Sequence, residues 1–199
     1  MQENKIQEQN EKQEIKSQVI DFSTEFDALI NAKGKITTSM LTAVNRYFLY
    51  FSFFESLLLG CSGGQRRSSA YAKALKDRGY FDENVIKSTF NVFADRYVND
   101  RQRYESLCGE DGHTRPETKE KYYGVMCANA DDLVAKFELC LFVCFRLRNN
   151  LFHGPKWRYF LDGQEKLLLI AGTFIHSILD KVPRSEEGWE FQDILSPTE

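Results

Sequence analysis

The chain has 199 residues, of which 42% are hydrophobic and 28% are charged, as is typical of one globular domain. Its 26 basic and 29 acidic residues give a net charge of -3, which excludes a protein that coats nucleic acid through an overall positive charge. Only 4 Pro and 12 Gly exclude collagen-like and low-complexity classes, whereas 16 Phe predict an aromatic core or an apolar surface that a partner covers.

Apolar residues recur at steps of three and four along most of the chain, which is the spacing of amphipathic helices. The polar residues 1–13 predict a flexible lead-in. Four principal helices are predicted, over residues 14–32, 40–59, 131–153 and 163–182. Between the second and third of them, shorter helices are predicted near residues 69–78, 82–98 and 117–126, with a basic loop at 61–69 and an irregular excursion at 99–118.

The predicted fold class is all-α, because no stretch alternates apolar and polar residues with the period of a strand. We expect an up-and-down bundle of four helices, decorated by the short helices of an inserted region at about 61–128. One helical domain then covers 14–183, and a loosely packed tail covers 184–199. The helix over 40–59 is apolar on nearly every face in its second half, which predicts that neighbours surround it.

The cysteines and histidines predict neither a disulfide scaffold nor a metal site, because no Cys-x-x-Cys pair and no zinc-ligand spacing occurs. No cofactor is expected. Cys140 and Cys144 lie four residues apart in an apolar run, which is typical of buried thiols in a reducing compartment. The N-terminus has no apolar signal sequence, and the apolar stretch 47–59 is shorter than the roughly 20 residues of a membrane span. We therefore expect a cytoplasmic protein with no membrane partner.

The segment 145–156, FRLRNNLFHGPK, carries the candidate chemistry of the chain. It begins inside an apolar helix, and the Gly-Pro that follows His153 predicts that the helix ends there. Arg146, Arg148, Asn149 and His153 place two fixed positive charges, an amide and a titratable imidazole within two helical turns. Arg148 and His153 are about 140° apart around an ideal helix, so the long arginine side chain or a loosened helix end must bring them together.

Two interpretations fit these residues. Arginine offers a fork of donors matched to phosphate, and histidine gives or takes a proton near neutral pH. Without a metal ion, that pair suits cleavage of RNA, in which the substrate's own 2′-hydroxyl attacks the phosphate. In the alternative interpretation, Arg146 and Arg148 are solvated or paired with acids, and His153 caps the C-terminus of the helix.

The pattern Arg148-Asn149, three residues, then His153-Gly154 at a helix end resembles the hallmark of the HEPN superfamily, an arginine and a polar residue followed by a histidine. The likeness covers residues 131–182, and 40–59 more loosely. It implies a HEPN-like four-helix bundle that forms a homodimer, with the motifs of two protomers facing each other in a cleft. That composite site would be a metal-independent endoribonuclease, which leaves a 2′,3′-cyclic phosphate and a 5′-hydroxyl.

The resemblance also implies roles and partners. Arg148 would hold the scissile phosphate, His153 would act as general acid or base, and Asn149 would orient His153 or the substrate. Many members act in toxin–antitoxin, abortive-infection or other anti-phage systems, which implies RNA and an antitoxin or regulatory protein as partners. Other members only bind, so a non-catalytic RNA- or nucleotide-binding regulatory module stays open as the second function. A structural helical interaction protein is the third.

Candidates also lie around this motif. Arg146 is a weaker candidate for contact with the substrate, and Lys156, Trp157 and Arg158 directly follow the motif and could contact a base and a phosphate. Glu55 lies in an apolar run, FSFFESLLLG, where an unpaired carboxylate is costly to bury. We expect Glu55 either to orient one of the two arginines across the bundle or to lie at the bundle edge.

Overall fold

The computed structural model describes residues 21–109, 114–128, 131–153 and 161–196, with the backbone only at 152 and 153. These ranges are helical and contain no β-strand beyond isolated bridges, which confirms the all-α class. The helices are α1 (Phe22–Leu29), α2 (Thr38–Leu58), α3 (Ser68–Asp77), α4 (Glu83–Val98), α5 (Arg101–Cys108), α6 (Pro116–Ala128), α7 (Leu133–His153) and α8 (Glu165–Leu179). A 3-10 turn, Gln65–Arg67, leads directly into α3.

The chain divides into two compact units at the junction of residues 42 and 43, and the predicted domain over 14–183 includes both. In the first unit, the carboxylate of Asp27 on α1 accepts hydrogen bonds from the backbone N–H groups of Gly34 at 2.8 Å and Ile36 at 2.9 Å. The bond from Gly34 is the main cause that lowers the pKa of Asp27. The same bonds close the loop after α1.

The second unit is built around α7. Every residue from 136 to 147 is buried, because α3, α4, α5, α6, α8 and the 3-10 turn all pack against this helix. From α2, the hydroxyl of Tyr47 donates to the carbonyl oxygen of Cys144 at 2.5 Å. Among these contacts, α3 and α4 pack extensively on α7. The prediction that the inserted helices only decorate a four-helix core is therefore wrong, since they build the core.

On α2, by contrast, two adjacent apolar side chains stay in contact with solvent. Phe48 is 40% exposed and Leu49 is 62% exposed. The prediction that neighbours surround the helix over 40–59 is therefore wrong, and α7 is the helix that neighbours enclose. Periodicity could not separate the two cases, because both helices have long apolar runs and only the packing shows which one is enclosed.

Aspartate caps begin several helices of the second unit. The Asp82 carboxylate accepts hydrogen bonds from backbone N–H groups in the first turn of α4, and the Asp132 carboxylate accepts them from the first turn of α7. The Asp100 carboxylate accepts a hydrogen bond from the N–H of Arg103 in α5 at 3.0 Å. Helix α5 lies inside the stretch 99–118, where an irregular excursion was predicted, so that prediction is wrong there. Its sequence, RQRYESLC, is too polar to show an apolar period, and its cap was the available signal.

The C-terminal tail packs on the end of α2. The N–H of Gln192 donates to the carbonyl of Leu57 at 2.7 Å, and the N–H of Ile194 donates to that of Leu58 at 2.9 Å. The last carbonyl groups of a helix have no partner within the helix, and here the tail provides one for two of them. The expectation of a loosely packed tail is therefore wrong for residues 192–195, whereas residues 184–187 are exposed as expected.

Candidate functional site

An ion pair joins Arg148 on α7 to Glu55 on α2, through Nη2 of the guanidinium and Oε1 of the carboxylate. Both groups are largely buried, with side chains that are 26% and 19% exposed. The guanidinium carbon also lies 5.6 Å from the ring centroid of Phe51, one turn before Glu55. Glu55 was expected either to orient one of the two arginines or to lie at the bundle edge. In the structure it forms an ion pair with Arg148.

Further acceptors hold the same guanidinium. Oδ1 of Asn149 accepts a hydrogen bond from Nη1 of Arg148 at 3.0 Å, and the carbonyl of Gly63 accepts one from Nη2 at 3.4 Å. A guanidinium carries five N–H donors, so with the bond to Glu55 three are engaged. The other two have no acceptor within the described ranges. Arg148 is therefore held in one orientation and can still donate to an added anion.

The loop after α2 is shaped to fit this ion pair. A Cβ at Gly63 would lie 2.7 Å from Cδ1 of Leu59, 3.0 Å from Oε1 of Glu55 and 3.1 Å from Cε1 of Phe145. Only a residue without a side chain leaves the carboxylate and both apolar groups in place. The sequence alone gives no sign of this role, because the two adjacent glycines of the loop look alike until the fold shows what each one faces.

Arg146 lies in a different environment, only 3% exposed. Its guanidinium donates to the carbonyl of Leu107 at 2.9 Å, to Oε1 of Gln65 at 3.0 Å and to Oδ1 of Asn150 at 3.1 Å. Burial lowers the pKa of Arg146, because desolvation disfavours the charged form. These bonds hold α5 and the 3-10 turn against α7. The predicted contact of Arg146 with RNA would require them to break.

Two residues that the sequence analysis did not name complete this buried network. Nδ2 of Asn150 donates to the same carbonyl of Leu107 at 3.0 Å, and Nε2 of Gln65 donates to Oγ1 of Thr114 at 3.3 Å. Asn150 follows Arg146 by four residues, a spacing that places both on one helix face and could have indicated the pair. No local signal singles out Gln65, which lies 81 residues from Arg146 in the sequence.

The backbone of α7 continues to His153, so Arg148 and His153 belong to the same helix. At the backbone they are about 140° apart around the helix axis. The imidazole of His153 lies outside the described part of the chain, as do Lys156, Trp157 and Arg158. The fold thus brings Glu55, Arg148 and Asn149 together, and it separates Arg146 from them.

Chemically, this site offers one oriented cation and one amide near the end of a helix that carries a histidine. In the described ranges, no three His, Cys, Asp or Glu side chains come together as metal ligands. Within the same ranges, every helix is too short or too polar to cross a membrane. Comparison with protein-family models, with curated proteins and with solved structures found no significant match to this chain.

Proposed function

We propose that this protein is a metal-independent endoribonuclease whose site combines Arg148, Asn149 and His153 from the two protomers of a homodimer. The observation that carries the proposal is the ion pair with Glu55, which orients Arg148 on the same helix as His153 and leaves donors for a phosphate. The likeness of the RNNLFH segment to the HEPN hallmark supports the same chemistry.

In the proposed reaction, the 2′-oxygen of one nucleotide bonds to the adjacent phosphorus, and the bond from phosphorus to the 5′-oxygen breaks. One His153 takes the proton of the 2′-hydroxyl, and His153 of the partner subunit protonates the leaving 5′-oxygen. Arg148 donates to the non-bridging oxygens and stabilises the charge that builds up on them. The products are a 2′,3′-cyclic phosphate and a 5′-hydroxyl, so no water molecule is consumed.

The test is cleavage of RNA in the presence of EDTA by the parent, His153→Ala and Arg148→Ala. We expect each variant to cleave at least about 100-fold more slowly, because each removes a proton-transfer or charge-stabilising group. Arg103→Ala is the matched control, since this exposed arginine pairs with Asp100 away from the site. If both variants cleave as fast as the parent, the site assignment is wrong.

A mixing experiment tests whether the site is shared between protomers. Parent and His153→Ala chains are co-expressed, and heterodimers are purified through two different tags. A shared site that needs both His153 residues predicts that this heterodimer cleaves about as slowly as the His153→Ala homodimer. A heterodimer that keeps about half of the parent rate would mean that each protomer has its own site, which contradicts the shared site.

The second candidate function is a non-catalytic RNA- or nucleotide-binding regulatory module. It is favoured by the fact that Glu55 already neutralises Arg148 within one protomer, so that a phosphate must compete with a carboxylate. Glu55→Gln separates the two functions. A binding module predicts tighter RNA binding and no cleavage by any variant, whereas the enzyme predicts slower cleavage, because Arg148 loses its orientation while binding is retained.

A further inference from the structure

A cavity of about 240 Å³ is lined by residues other than the ion pair of Glu55 and Arg148. It is lined by residues from the 3-10 turn and the start of α3, from α6 with the residues just before it, and from α7. None of the residues assigned above to the ribonuclease lines it. The proposal below therefore does not depend on that function.

The lining of the cavity carries an excess of positive charge. Arg66, Arg115 and Lys121 are its cations, and Glu138 is its acidic residue. Oε1 of Glu138 accepts hydrogen bonds from Nζ of Lys121 at 2.5 Å and from the hydroxyl of Tyr122 at 2.9 Å. The charge of Glu138 is thus balanced within the protein, and the two arginines are left to attract an anion.

Within the described ranges, neither arginine forms a buried ion pair. Arg66 is exposed and has no ion-pair partner in the part of the chain that the structure describes. Arg115 approaches Glu117 only at 4.0 Å, between side chains that are 67% and 70% exposed, and such surface pairs contribute little. Both guanidinium groups are therefore available to a ligand.

Hydrogen bonds to the buried core fix the polar wall beside these arginines. Gln65 and Thr114 line the cavity and contact each other at 3.3 Å. Arg146 holds Gln65 from behind, and the Thr114 hydroxyl donates to the carbonyl of Cys108 at 2.8 Å. This part of the site is formed before a ligand arrives, so less conformational entropy is lost on binding.

The size of the cavity limits what it accepts. Sites for drug-sized ligands are about 300–1,000 Å³, so this cavity suits a compact anionic group rather than a run of bases. Arginine forks match the oxygens of phosphate, and the hydroxyl groups of Ser69 and Thr118 in the lining add donors. We propose that the cavity binds the phosphate group of a phosphomonoester through Arg66 and Arg115.

The test is a titration of the full chain with ribose 5-phosphate at constant ionic strength, in which calorimetry measures the heat of binding. We expect saturable binding that Arg66→Gln/Arg115→Gln weakens by about tenfold or more, because two charge-assisted contacts are lost. Arg103→Gln, the matched exposed control, should bind like the parent. Binding that is absent, or that the double variant does not weaken, overturns the proposal.

Further ligands test the chemistry and the source of the phosphate. Dimethyl phosphate, which carries one charge, should bind more weakly than ribose 5-phosphate at pH 7.5, where a monoester is mostly a dianion. Equal binding of the two would contradict a monoester site.

Competition by a short RNA with a 5′-phosphate, but not by the same RNA with a 5′-hydroxyl, would identify an RNA terminus as the source. If neither RNA competes, the source is a free small phosphomonoester.

Discussion

Arg146 and Arg148 lie two positions apart on α7 and illustrate how environment decides the role of a residue. Two positions correspond to about 200° around a helix, so the two side chains leave α7 in nearly opposite directions. Arg146 donates to protein groups only, among them the carbonyl of Leu107, and is enclosed by the fold. Arg148 is oriented by Glu55 and has N–H donors with no acceptor among the described residues. The same residue type thus serves packing at one position and candidate chemistry at the other.

The first prediction concerns the partly buried pair of Glu55 and Arg148. Its exposure lies between that of surface pairs, which contribute 0–1 kcal/mol, and buried pairs, whose disruption costs 3–5 kcal/mol. In a double-mutant cycle of Glu55→Gln and Arg148→Gln, we expect a coupling energy of about 1–3 kcal/mol, measured by urea unfolding. Glu83→Gln, which breaks the exposed pair with Lys87, should cost less than about 0.5 kcal/mol. A coupling energy near zero would contradict the pair.

The second prediction concerns the buried network of Arg146. Arg146→Met removes three hydrogen bonds to Leu107, Gln65 and Asn150 inside the fold, although the carbonyl of Leu107 keeps its bond from Nδ2 of Asn150. We expect the free energy of unfolding to fall by about 1–3 kcal/mol in urea titrations.

Arg146→Lys should rescue little of this loss, since an ammonium group cannot reach three acceptors that are arranged around a planar fork. Arg103→Met, on the exposed side of α5, should stay within about 0.5 kcal/mol of the parent. A fully stable Arg146→Met chain would show that the network adds nothing to the stability of the fold.

At the scale of elements, the loop after α2 has two adjacent glycines with different requirements. Gly63→Ala would push a methyl group against Leu59, Glu55 and Phe145, and we expect it to cost about 1–3 kcal/mol, as overpacking does. A Cβ at Gly64 meets nothing within 4 Å. Gly64→Ala should therefore be neutral or stabilising by up to about 1 kcal/mol. Thermal unfolding of both variants measures the difference, and equal effects would contradict the close approach at Gly63.

The positions of most helices could be predicted from the local sequence pattern. The ends of α2, α3, α4, α6 and α7 were predicted to within a few residues, because apolar spacing and polar caps are local properties. Helix α5 was missed, since its first residues are polar and face solvent. Tyr104 and Leu107 are buried because other helices, among them α4 and α7, lie beside α5. Its stability comes from packing rather than from its own sequence.

At the scale of the whole molecule, the enclosed position of α7 makes the cysteines a test of the fold. Cys61 and Cys127 are exposed, whereas Cys108, Cys140 and Cys144 are buried. Burial raises the pKa of the three buried thiols, which lowers the fraction of reactive thiolate. We expect a chromogenic disulfide reagent at pH 8 to label two thiols rapidly in the native protein and all five in denaturant.

A variant with Cys61→Ser and Cys127→Ser is the control for this experiment, and it should show no rapid labelling. Rapid reaction of a third thiol in the native parent would mean that α7 is not enclosed as the structure has it. The same core holds half of the 16 phenylalanines, because eight among the described residues are fully buried: Phe51, Phe54, Phe90, Phe93, Phe137, Phe142, Phe145 and Phe174.

The sequence by itself determined that the chain is helical, where most helices run, and that Arg148, Asn149 and His153 share a helix end. These properties depend on residues within a few positions of one another. Only the tertiary structure decided that α7 is central, that Glu55 meets Arg148 across 93 residues of sequence, and that Arg146 is enclosed. It also brought Arg66 and Arg115 to one cavity. Such contacts depend on which helices become neighbours, and periodicity carries no information about that.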